Sequence, residues 1–170
     1  MKIIDDGKLK TSELLAEARK LFDVYCYDEK NLDAQFPAPT EPITSYFRDN
    51  QEPDLKHRKR SYDEYSTDGK KYMNLRQYLI AQMQYFKETK KHLDVDGWTR
   101  LSDLWVDGGL VYGRWDDVDS GLYLSNGGRG GRDARNGPRE QLSLDAIHFN
   151  PSLEQRVSKI EEALRKHNFL

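Results

Sequence analysis

The sequence predicts an α+β fold: two helices packed on a small twisted antiparallel sheet with long loops, followed by a C-terminal helix. Three observations carry this. Apolar residues recur at helical spacing over 12–26 and again from Leu75 to Phe86. Residues 98–139 hold all three Trp and nine of the twelve Gly, no Lys, Glu or Ile, and alternate as strands do. After Asn150 and Pro151, Leu153, Val157, Ile160 and Leu164 repeat at spacings of four, three and four. The domain is expected over 1–149, with a Pro-rich and charged insertion at 31–72, and the terminal helix over 150–170.

Composition sets limits on function. With 170 residues, 36% hydrophobic and 33% charged, the chain can bury one modest core beneath much solvated surface. A net charge of -2 announces no basic field for nucleic acid or an anionic membrane. The single Cys26 excludes an internal disulfide, and no segment has the length or apolarity of a signal peptide or a membrane span. Synthesis in the cytoplasm is expected, and a virion component would read the same way.

In chain order, Ile3 and Ile4 suggest a short strand ended by Asp-Asp-Gly. Thr11 or Ser12 offers an N-cap, and Leu14, Leu15, Ala18, Leu21, Phe22 and Tyr25 give a helix over 12–26 its apolar face. Pro37, Pro39 and Pro42 exclude regular helix in the next stretch, which reads as a long connection anchored by Ile43, Tyr46 and Phe47. Within it KHRKR (56–60), flanked by Asp54 and Asp63, reads as a solvated loop. Asn74 and Gln77 form a capping box for a second helix, whose stripe is Leu75, Tyr78, Leu79, Met83 and Phe86. Lys90, Lys91 and His92 suit its C-terminal dipole. Leu93, Val95 and Trp98 lead on into the biased window.

There Val111, Gly113 and Trp115 point one way along a strand, Leu110, Tyr112 and Arg114 the other. DDVDSG (116–121) is a turn, and Leu122 and Leu124 then alternate with Tyr123 and Ser125 to complete a hairpin. A Gly-rich loop spans 126–138, and a strand is expected over 141–147. The terminal helix has a narrow seam, suited to packing or to weak self-association.

Chemical motifs are few. The four His lack metal-ligand spacing. Asp116, Asp117 and Asp119 lack the late bidentate Glu of a calcium loop, Gly128 standing in its place. No nucleophile elbow and no phosphate-loop lysine is present, so no catalytic residue, metal or cofactor is expected. GGRGGR (127–132), with Arg135 and Arg139, is the one local basic element. With KHRKR it supplies an alternative reading as a nucleic-acid binder. A third reading, a structural or assembly protein of a virus, leans on the terminal helix.

Through LDVDGWTRLSDLW, GGLVYGRW, the hairpin after it and ARNGPREQLSLD, the chain resembles the variable proteins of diversity-generating retroelements, which have a C-type lectin fold. The resemblance covers roughly residues 75–146. It implies a non-enzymatic receptor whose window is rewritten at adenines by a reverse-transcriptase system, and which binds a protein ligand. It implies displayed, ligand-contacting positions at Ser102, Asp103, Trp105, Asp107, Tyr112, Arg114, Asp116, Asp117, Tyr123, Ser125, Asn126 and Arg129. Val111, Trp115, Leu122 and Leu124 are implied as scaffold. Trp115-Asp116-Asp117 is similar to the Trp-Asn-Asp signature of sugar-binding lectins. The partnering Glu-Pro-Asn has no neighbouring counterpart, Glu52-Pro53-Asp54 standing before the second helix.

Overall fold

A computed structural model of the chain describes residues 1–143. The terminal helix and its self-association, residues 144–147 of the last expected strand, and His148 and His167 lie outside the described residues. The fold is α+β. Strand β1 (Lys2–Asp5) pairs antiparallel with β3 (Ile43–Tyr46). A second sheet runs in the order β2 (Asp23–Cys26), β6 (Gly121–Gly127), β5 (Leu110–Asp116), β4 (Thr99–Leu104). Helices α1 (Thr11–Arg19) and α4 (Leu75–Thr89) pack on each other, and α4 also on β1 and β4.

The first helix ends earlier than its apolar spacing predicts. Past Arg19 the chain turns, and Asp23–Cys26 forms β2, parallel to β6, so the sheet expected to be wholly antiparallel has a parallel edge. The local pattern explains this: Val24 is buried and Tyr25 exposed, a period of two, and pairing with β6 satisfies backbone groups at the sheet edge. Neither Thr11 nor Ser12 is the N-cap. Lys10 holds that position, with its N–H bonded to Glu13 at 2.7 Å. The Thr11 hydroxyl is buried, donating to the Phe36 carbonyl and accepting from Arg76.

The 31–72 insertion is more ordered than a connection. It contains α2 (Leu32–Gln35), β3, a 3-10 turn at Leu55–His57 and α3 (Tyr62–Ser66). Phe47 is a buried anchor as expected, but Ile43 is exposed. KHRKR is not a free solvated loop either. Lys56 and His57, with Arg48 and Lys70, surround the carboxylate of Glu140. Burial pushes that carboxyl up, but hydrogen bonds from Lys56, His57 and Lys70 outweigh it and hold the group well below the usual carboxylate range.

Helix α4 begins as predicted: Asn74 Oδ1 accepts from Gln77 N at 2.8 Å and Gln77 Oε1 from Asn74 N at 3.0 Å. Leu75, Tyr78, Leu79 and Met83 are buried on its apolar stripe. Gly113 of β5 admits Tyr78 to the sheet, since a Cβ there would stand 2.1 Å from the ring. The hairpin β5–β6 has seven registered pairs, with Val111, Trp115, Leu122 and Leu124 buried beneath α4 and its neighbours. Residues 141–143 form no strand; Gln141 N and Leu142 N bond to the carbonyls of Lys71 and Tyr46. Among the described residues no helix is long and apolar enough to cross a membrane.

Two buried arginines are paired. Arg76, on α4, sets Nε and Nη2 against the two oxygens of Asp5, each at 2.7 Å. Arg139 donates to Thr99 Oγ1, to the carbonyls of Asn50 and Gln51, and to Asp94. Arg76→Met strands the Asp5 carboxylate in the core and should cost about 3–5 kcal/mol in urea denaturation. A loss under about 1 kcal/mol would mean the pair is not buried as described.

His92 stacks on Trp115 and Phe86, and its buried Nδ1 has no partner among the described residues. Burial pushes it down to about 4 from an ordinary 6.5, against a small opposing pull from Asp117. A depressed histidine makes protonation favour the unfolded chain, so stability is complete above about pH 6.5 and is lost as pH falls toward 4. His92→Phe keeps the stack and should flatten the dependence of the urea midpoint between pH 7 and pH 4.5. An unchanged slope would assign the acid sensitivity to other groups.

Candidate ligand-binding face

One face of the four-stranded sheet packs on the helices. On the other face the cross-strand register aligns two rows. Tyr25 on β2 pairs with Tyr123 on β6, which pairs with Arg114 on β5; the Arg114 guanidinium lies over the ring of Trp98, just before β4, at 5.6 Å. The rings of Tyr25 and Tyr123 stack at 4.6 Å and 19°. The second row is Ser125, Tyr112 and Arg100. Beside the rows Trp98, Tyr112, Ser125, Asn126, Gly127 and Asn136 line a shallow depression of about 250 Å³. Asn136 Oδ1 accepts from Trp98 N at 3.1 Å, joining the Gly-rich loop to the window's first residue.

The twelve predicted positions divide. Arg114, Tyr123 and Ser125 stand half-buried on this outer face, and Tyr112 lies flat across it, 8% exposed, its hydroxyl donating to the Gly128 carbonyl at 3.0 Å. Asp107 and Asn126 meet at one end of the sheet, where Asp107 accepts from Asn126 at 2.8 Å and from the Tyr27 hydroxyl at 3.0 Å. Asp116 and Asp117 sit at the opposite end, Asp116 accepting from Val118 N and Asp117 from the Trp115 indole at 2.8 Å. The Tyr123 hydroxyl donates to Asp119 of the same turn, and that bond pushes the phenol up to about 12.

Two expected outward residues point inward. Trp105 is 2% exposed, packed on Phe36 with its indole N–H on the Ser125 carbonyl, because it falls on the inward side with Thr99 and Leu101. The register shift in β4 between Arg100 and Leu104 is an even number of residues that keeps this alternation. Asp103 gives its carboxylate to the first N–H of α4, Leu75 N, at 2.6 Å. Burial raises its carboxyl and that hydrogen bond lowers it, with burial prevailing. Ser102 is half-buried, its backbone N–H bonded to the Met73 carbonyl.

Arg129 is exposed, lies 4.9 Å over Tyr62 and pairs with Asp63 at 2.6 Å, while Arg132 pairs with Glu64 at 3.0 Å. The Gly-Arg loop thus folds back on the acidic α3. The N–H and hydroxyl of Ser61, then Arg132, draw Glu64 down to about 2.

Sequence reasoning missed Tyr25, Tyr27, Trp98 and Asn136. The first two carried a signal, since in DVYCY the aromatics alternate with Val24 and Cys26. Asn136 comes to the face only through the loop's path.

The carboxylates of Glu52-Pro53-Asp54 are engaged by other partners. Glu52 accepts the N–H groups of Val95, Asp96 and Gly97 at 3.0–3.1 Å, and Asp54 is held by Arg48 and Glu140 N. Among the described residues no group of three or more His, Cys, Asp or Glu is arranged for a metal ion. Burial pushes the Cys26 thiol up to about 12, which keeps it protonated. Comparison with protein-family models, with curated proteins and with solved structures finds no match.

The Tyr25–Tyr123 stack exists only because β2 is a strand. A double-mutant cycle to Ala at both positions should give a coupling of about 0.5–1.5 kcal/mol. A coupling indistinguishable from zero would remove Tyr25 from this face.

Proposed function

We propose that this chain is a non-enzymatic, receptor-like binding protein with a C-type-lectin-like scaffold, its 98–139 window diversified by a retroelement, that contacts a protein ligand through the outer sheet face. The observation that carries the reading is the division of the hairpin. Val111, Trp115, Leu122 and Leu124 are at most 6% exposed, while Arg114, Tyr123 and Ser125 between them face outward. Outward residues can then change without disturbing the core. Aromatic anchors with short polar neighbours are the composition from which protein interfaces draw most of their affinity. Production in the cytoplasm and carriage on a virion belong to the same proposal.

The nucleic-acid alternative draws less support, because Arg129, Arg132 and Lys56 are already paired with Asp63, Glu64 and Glu140. A phosphate backbone would have to displace those carboxylates.

Two measurements test the reading. The genome beside this gene should carry a reverse transcriptase and a near-duplicate of the 98–139 coding window differing chiefly at adenines; their absence rejects diversification. Arg114→Ser, Tyr123→Ser and Ser125→Tyr should each change stability by no more than about 1 kcal/mol, against about 2–5 kcal/mol for Leu122→Ala. Equal costs on the two faces would end the scaffold-and-display reading.

A further inference from the structure

Among the described residues three arginines are almost fully buried, and two have a buried carboxylate partner. Arg100, 1% exposed, has none among the described residues. Its Nη1 donates to the Arg60 carbonyl, its guanidinium lies over the Tyr112 ring at 5.6 Å, and its buried Nε has no partner. A buried cation without a counter-ion is costly, and a bidentate carboxylate offsets much of that cost. Of the edge formed by Nε and Nη2, Nε is open, and the guanidinium also hydrogen-bonds the Tyr112 hydroxyl. Arg76 uses that edge for Asp5 and Arg132 uses it for Glu64.

What covers this edge is nearly bare backbone. A Cβ built on Gly131 would stand 3.2 Å from Arg100 Nη2 and 3.9 Å from the Tyr112 hydroxyl oxygen. The cover, 127–132, has Gly at four of its six positions. Gly127 stays paired with Leu110 as the last residue of β6; beyond it the loop is held by the Arg129–Asp63 and Arg132–Glu64 pairs, both exposed, by a backbone bond from Tyr62 N and by one bond from the Tyr112 hydroxyl. Exposed pairs contribute little, so displacing this loop costs little.

We propose that Arg100 is a carboxylate-binding site, reached when the loop beyond Gly127 swings off it, in which the ligand's carboxylate bridges Nε and Nη2. The site adjoins the depression lined by Trp98 and Tyr112. That a protein carries the carboxylate rests on the binding reading above; the site itself does not.

The test uses the full chain with 15N-labelled arginine, and sodium acetate as probe against sodium chloride at equal ionic strength. One Nε–Hε resonance, absent in Arg100→Met, should move saturably with acetate and not with chloride. Gly131→Asp, which offers a carboxylate to the same edge, should weaken the acetate response about tenfold or more, and Gly131→Asn should leave it within about twofold. Arg100→Met removes an unpaired charge and not half of a pair, so its Tm should hold or rise by about 2–4 °C. The proposal is overturned by the lack of an acetate-specific shift, or by Gly131→Asp and Gly131→Asn behaving alike; this comparison stands even if Arg100→Met does not fold. Acetate binding in a gene without a neighbouring retroelement would leave this site standing and remove only diversification.

Discussion

The Arg139 guanidinium closes the 98–139 window on itself, and the candidate face depends on that closure. Its Nε reaches Thr99 at the start of β4, its Nη2 reaches Asp94, and two further donors hold the carbonyls of Asn50 and Gln51. Beside it the backbone is laced by Arg100 N to the Gly137 carbonyl and Gly137 N to that of Trp98. Both ends of the window are thereby fixed at one place, and the intervening hairpin and Gly-rich loop are carried on a closed base. Burial pushes the Asp94 carboxyl up while Arg139 pulls it down. Such a pair adds little net stability over apolar packing, but losing either partner is severe, so its contribution is to specificity of closure.

Above this base the helix meets the hairpin closely where Tyr78 of α4 stands against Gly113 of β5. Tyr78 is wholly buried, with Gln82 bridging its hydroxyl to the Leu93 carbonyl. The inward face of β5 is therefore dictated by α4, leaving its outward residues under cross-strand rules alone. The pleat separates the core-facing residues from the outward ones.

Much of this was legible in the sequence. The capping box at Asn74, the α4 stripe and the Val111, Trp115, Leu122, Leu124 frame follow from periodicity and cap chemistry, both local properties. What was not legible depended on distant partners. Residues 23–26 suit a helix by apolar spacing and a strand by alternation, and pairing with β6, about a hundred residues away, decides for the strand. The resemblance alone places Trp105 outward, whereas its alternation with Leu101 puts it inward. Asp103 reads as a surface acid, yet it meets the orphan N–H at the start of α4. KHRKR and GGRGGR read as exposed cations because Glu140 and α3, which neutralise them, lie 66 to 84 residues away in sequence.

That neutralisation bears on how the face can recognise anything. The chain has 27 Lys and Arg against 29 Asp and Glu, and in its two basic segments Lys56, Arg60, Arg129 and Arg132 are paired with internal carboxylates. Little uncompensated field remains to steer an encounter over distance. Recognition then falls to contact: stacked tyrosines, a tryptophan with an arginine laid on it, and a shallow depression between. Within such a neutral surface a cation without a carboxylate partner among the described residues stands out. Arg100 pairs with Tyr112 on that face and lays its guanidinium over the ring, where a ligand carboxylate would meet a low dielectric and an unpartnered Nε–H. An electrostatic contact there would act at short range and be little screened by salt, adding selectivity for one group to a face otherwise selective for shape.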